Sequence, residues 1–148
     1  MKIVVQKVSQ ASVSVDNQVL SSIPQGLMLL VGVKEGDTKE EADYLIKKIS
    51  QMRIFEDEED KMNLSIADVK GEILSISQFT LLANTKKGNR PSFTRAAKPE
   101  EANELYLYLN EGLREKGIPV YEGQFGAHME VSLINDGPVT IVLDTDYK

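Results

Sequence analysis

Ser77-Gln78-Phe79-Thr80 brings two hydroxyls and an amide into four consecutive residues. On a strand, with its two-residue period, Gln78 and Thr80 face one way and Ser77 and Phe79 the other. A hydroxyl nucleophile needs a base within hydrogen-bond reach. The 148 residues include one histidine, His128, and no cysteine. Thiolate nucleophiles, disulfides, iron–sulfur clusters and cysteine-bearing zinc sites are thereby excluded, as is a multi-histidine metal site. A Ser-His-Asp arrangement has to run through His128, which reads more simply as a surface or packing residue. Taken alone, the four residues fit equally a polar, solvated strand face.

A cationic stretch follows. Lys86, Lys87, Arg90, Arg95 and Lys98 occur with no acid between them, and Phe93 sits among them. Gly88, Asn89 and Pro91 make this a loop. Such a loop can grip phosphates and stack on a base, although an ordinary basic loop has the same composition. Asn135-Asp136-Gly137-Pro138-Val139-Thr140 reads as a turn between two strands. The five acids Glu56 to Asp60 lack the glycine a calcium loop needs, because Met62 stands in that place. They read as a solvated turn between helix and strand.

The elements that position these groups follow from periodicity. Ile3-Val4-Val5 and the alternating Ser12 to Asp16 read as strand, with a turn at Asp16-Asn17 into Val19-Leu20. Gly26 to Val33 is continuously apolar, as in a buried strand. Thr38-Lys39-Glu40-Glu41 has capping-box spacing, and Ala42, Leu45, Ile46, Ile49 and Met52 recur behind it at helical period. A second helix starts at Pro99, carries Ala102, Leu105, Tyr106, Leu109 and Leu113, and stops at Lys116-Gly117. Glu72 to Leu82, Val120-Tyr121, Met129 to Ile134 and Val139 to Leu143 read as further strands. This order predicts an α+β fold. It is a barrel-like, mostly antiparallel sheet with two packed helices, in one domain over residues 1–148.

The composition is that of a globular protein, 41% hydrophobic and 27% charged. The apolar run from Gly26 to Val33 is far too short for a membrane span, and Met1 to Lys7 turns polar too early for a signal peptide. A cytoplasmic protein is expected. The net charge of −6 argues against broad nucleic-acid affinity, though not against a local basic patch.

Ser77-Gln78-Phe79-Thr80-Leu81 and Asn135-Asp136-Gly137-Pro138-Val139-Thr140 together resemble the two signature motifs of the D-aminoacyl-tRNA deacylases, also called D-tyrosyl-tRNA deacylases. Arg90-Pro91-Ser92-Phe93, Met62-Asn63-Leu64 and Phe125-Gly126-Ala127 extend the resemblance over essentially the whole chain. Lys7 departs from it, since an arginine is expected after Gln6. The charge is kept, but the bidentate fork that could brace a neighbouring loop is lost.

The resemblance implies hydrolysis of the ester joining a D-amino acid to the terminal adenosine of tRNA, without metal or organic cofactor. It implies a homodimer in which Gly137-Pro138, joined by a cis bond, enters the other subunit's site to reject L-amino acids. Ser77, Gln78, Phe79 and Thr80 would line that site. A filter made of backbone has no means of excluding glycine, so glycyl-tRNA should also be cleaved. Nothing in the sequence activates Thr80, which favours a positioning role, with the adjacent ribose hydroxyl assisting water and N–H groups around Gln78 and Phe79 holding the oxyanion. Lys86, Lys87, Arg90 and Phe93 would contact the tRNA. A non-catalytic RNA-binding module fits the basic loop equally well. A small serine or threonine esterase would lack a base.

Overall fold

Strand β1 (Lys2–Val15) is the element on which the sheet assembles. Its first half pairs antiparallel with β3 (Gly26–Gly32), and its second half with β2 (Gln18–Ile23). Asp16 and Asn17 turn β1 into β2 with φ of 51° and 64°, a left-handed backbone that Asp and Asn tolerate better than most residues. The computed structural model describes all 148 residues. From β3 the sheet continues in parallel through β6 (Glu72–Ser77) to β7 (Val120–Glu122). The Ser21 hydroxyl donates to the Glu122 carbonyl at 2.7 Å, linking β2 back to β7, so the sheet nearly closes into a barrel. The sheet is mixed: the β3–β6 and β6–β7 pairs are parallel.

Two helices cover one face. Helix α1 (Lys39–Gln51) starts at Thr38, whose hydroxyl accepts from the Glu40 N–H while the Glu41 carboxylate accepts from the Thr38 N–H. Helix α2 is Pro99–Glu115. Ala42, Leu45, Ile46 and Ile49 of α1 and Ala102, Leu105, Leu109 and Leu113 of α2 are buried with Ile3, Val5, Leu27, Leu29 and Ile73 of the sheet. Each fully buried aliphatic side chain stabilises the fold by about 1.5–3 kcal/mol. The helices approach closely at Gly112, where a Cβ would stand 2.2 Å from Ile46 Cδ1. A second cluster, with Val8, Val13, Ile23, Met28, Leu74 and Ile76, fills the barrel interior. Neither helix is long and apolar enough to cross a membrane.

Three local expectations change. The strand expected over Glu72 to Leu82 ends at Ser77, and Phe79–Leu82 is a 3-10 turn. Gln78 N–H makes the last bond toward β3, to Val31 O at 2.8 Å. The chain then coils so that Leu82, 4% exposed, covers Gly32. The alternating faces assigned to Ser77 through Thr80 therefore do not apply. Second, Met129 to Ile134 and Val139 to Leu143 belong to one strand, β8 (Glu130–Asp144), which pairs with β1 from end to end. Third, the acidic run forms the tip of a hairpin between β4 (Phe55–Glu56) and β5 (Met62–Leu64). There Asp57 Oδ1 accepts from Glu59 and Lys61 N–H, and these backbone bonds hold its carboxyl below the usual range.

Candidate active site

β8 carries a bulge. Gln6 of β1 faces Thr140 and Val8 faces Asn135, so Lys7 alone stands opposite the four residues Asp136 to Val139. Asn135 closes this bulge. Its Oδ1 accepts from Val139 N–H at 2.8 Å, and its Nδ2 donates to Thr140 Oγ1 at 2.9 Å. Val139 returns to the core at 7% exposure, whereas Asp136, Gly137 and Pro138 stand in solvent. The Gly137–Pro138 peptide bond is cis. Lys7 is buried on the inward side of β1, with Nζ 3.5 Å from Glu56 Oε1 and 6.0 Å from the centre of the Phe55 ring. Its charge is directed to the β4–β5 hairpin.

The main cavity, about 620 Å3, opens where β6 meets the 3-10 turn. Ser77, Gln78 and Phe79 form one wall, Phe93 to Ala102 a second, and Phe125 to Val131 a third. Most of the lining is apolar. Phe79 is 57% exposed and meets Phe93 edge-on, with ring centres 5.1 Å apart at 73°. One aromatic face is therefore available to a planar group. Deeper in, Tyr106 of α2 donates to Ser75 O at 2.6 Å, tying α2 to β6 two residues before Ser77. Burial pushes the Tyr106 phenol up to about 12. Beside it, Asn110 reaches Glu122 at 3.1 Å, which Arg114 also holds at 3.0 Å.

The sequence-derived residues fall into three groups. Ser77, Gln78, Phe79 and Phe93 share the cavity. Thr80 lies just behind, its hydroxyl accepting a bond from the Gln78 Nε2 amide. That amide is a donor, and no histidine, amine or carboxylate touches Thr80, so the hydroxyl has no base. Lys86, Lys87 and Arg90 project from the exposed loop, and Gly137 and Pro138 from the β8 bulge; neither set lines this chain's cavity. Gln78 N–H is committed to Val31 O. Phe79 and Thr80 N–H, at the start of the 3-10 turn, have no acceptor within it.

His128, expected as a surface or packing residue, is exposed but stands on the cavity wall. Lys98, Ala102, Tyr106, Phe125 and Met129 also line it, unforeseen as site residues. The local signal there is Gly126, in a segment noted above only for its resemblance. Its φ is +78°, and it swings Phe125 and Ala127 toward the cavity side.

Comparisons with known proteins agree across the chain. The sequence model of a family described as D-Tyr-tRNA(Tyr) deacylase matches residues 4–144. A solved structure described as "c-Myc DNA Unwinding Element Binding Protein" is 42% identical. It superimposes with a TM-score of 0.92 over 98% of this chain and 99% of its own. A second, described as a probable eukaryotic D-amino acid tRNA deacylase, has a TM-score of 0.78 over 96% and 97% of the two chains. At 17% identity it supports the fold alone.

Proposed function

The chain belongs to the D-Tyr-tRNA(Tyr) deacylase family and is a D-aminoacyl-tRNA deacylase, an ester hydrolase; from that premise we propose how its own residues cleave the ester and read handedness. The terminal adenosine stacks on Phe79, and the aminoacyl ester lies along Ser77-Gln78. Water attacks the ester carbonyl, assisted by the ribose hydroxyl next to the esterified one. The carbon–oxygen bond to ribose breaks, and the proton released by water passes to the departing ribose oxygen. Phe79 and Thr80 N–H donate to the oxyanion, the usual source of the largest rate effect in acyl transfer. Thr80 positions Gln78 and forms no covalent intermediate. The observation carrying this reading is that Thr80 meets only an amide donor and has no base beside it, which supports a proton relay through the substrate.

Handedness is read by a second copy. In the proposed homodimer the partner subunit's Gly137 and Pro138 close the cavity beside the substrate α-carbon. Backbone there leaves no volume for an L side chain, while a D side chain points away and glycine presents only hydrogen. The support is geometric: Gly137 and Pro138 are exposed and lie outside their own chain's cavity. β8 pairs with β1 alone, leaving a 15-residue edge strand open to another chain. Ile134 and Val142, 53% and 60% exposed, add apolar surface on its outer face. Lys86, Lys87 and Arg90, free of ion pairs, grip the tRNA backbone in the cytoplasm, whereas Arg95 is held by Asp146 at 3.3 Å.

The test is turnover with sedimentation. Sub-stoichiometric protein should release D-tyrosine and intact tRNA from D-tyrosyl-tRNA, with specific activity falling on dilution below the dimer concentration. A monomer with full activity would overturn the shared site. The description of the 42%-identical structure favours a second reading, nucleic-acid binding without catalysis. Stoichiometric binding of D-tyrosyl-tRNA with no release of D-tyrosine would select it.

A further inference from the structure

Two side chains on the cavity wall have no partner in the fold. His128 and Lys98 both line the cavity, are exposed, and take part in no hydrogen bond or ion pair through their side chains. Nearby cations are already engaged: Arg95 and Lys34 share Asp146. No carboxylate lines the cavity, and Tyr106 is its only other titratable side chain. The next charged residue after His128 is the exposed Glu130, the first residue of β8. A volume of about 620 Å3 lies within the range of pockets that enclose one small ligand. An aminoacyl nucleoside is of that size.

Building on the reading above, we propose that His128 and Lys98 form a subsite for one phosphodiester, the linkage joining the esterified adenosine to the preceding nucleotide. Both are donors without acceptor capacity when charged, and they belong to an otherwise neutral, mostly apolar lining. The phosphate thereby anchors the nucleoside while the ester lies against Ser77-Gln78. This subsite is separate from the Lys86–Arg90 loop, which lies outside the cavity.

Hydrolysis of D-tyrosyl-adenosine, D-tyrosyl-cytidylyl-adenosine and its uncharged methylphosphonate analogue tests it, in wild type, His128→Gln and Lys98→Gln. The charged dinucleotide should have a KM about two- to fivefold below the nucleoside in wild type, the scale of a partly exposed ion pair. Methylphosphonate should remove that advantage, and each variant should shrink it. Equal KM ratios in all three proteins, or a methylphosphonate as good as the phosphate, overturn the subsite. Absence of hydrolysis with every substrate would instead strike the deacylase mechanism on which it rests.

Discussion

Asn135→Ala isolates the geometry of the β8 bulge. The substitution removes two bonds of unequal weight. Thr140 is exposed, so water replaces the lost partner of its hydroxyl at little cost. Val139 N–H is different, because it lies next to a side chain only 7% exposed and has Asn135 Oδ1 as its acceptor. Leaving such a donor unpaired costs about 1–3 kcal/mol. That weakens the closed bulge relative to open forms by a factor of about 5 to 150. Asn135→Asp keeps the acceptor and loses only the exposed donor, so it should recover most of the loss. The measurements are kcat/KM on D-tyrosyl-tRNA, urea unfolding, and amide exchange at Val139. Asn135→Ala should speed exchange at Val139 and lower kcat/KM. Accelerated exchange with wild-type kcat/KM would refute the claim that the bulge shapes the active site.

Three further outcomes are expected. Tyr106→Phe should remove an alkaline instability: between pH 10 and about 12 the unfolded phenol ionises while the buried one does not. The folded state then holds more protons, and wild type loses up to about 1.4 kcal/mol per pH unit that the variant keeps. Parallel pH-stability curves for the two proteins would contradict this. Thr80→Ala should retain substantial turnover, while tRNA ending in 2′-deoxyadenosine should be a very poor substrate; an acyl group trapped on Thr80 would reverse the assignment. Neutralising Lys86, Lys87 or Arg90 should flatten the salt dependence of tRNA binding by about 0.7–0.9 in log–log slope per lost phosphate contact. Unchanged slopes in all three variants would place the RNA elsewhere.

Local signals in the sequence were enough for the elements that local physics decides. Thr38 and Glu41 announce α1 because a capping box is satisfied within four residues. Asp16-Asn17 announces the first hairpin because the turn needs left-handed backbone. Ser77 to Leu82 misleads, since its alternation is as compatible with a strand as with a 3-10 turn. The decision rests on Gly32, fifty residues earlier in the chain, where Leu82 finds its packing. The β8 bulge is hidden for a related reason: its register is set by β1, more than a hundred residues away. At the site, the Ser77–Phe79 segment was visible as a motif. Tyr106 was legible as a helix-face residue, Phe125 as part of a family segment and His128 as the one histidine, but none as cavity wall, because a cavity is a property of segments brought together only by the fold. Lys98 was visible as charge, but not as part of the wall.

The most direct test of the central claim is deacylation of D-tyrosyl-, glycyl- and L-alanyl-tRNA by one preparation of the protein. In the proposed shared site, filling the closed side of the α-carbon with one methyl would cost about 1–3 kcal/mol or more. L-alanyl-tRNA should therefore be cleaved about 5- to 150-fold more slowly than glycyl-tRNA, with D-tyrosyl-tRNA cleaved efficiently. Cleavage of L-alanyl-tRNA at the glycyl rate, or complete resistance of glycyl-tRNA at high enzyme, would contradict a steric filter made of backbone.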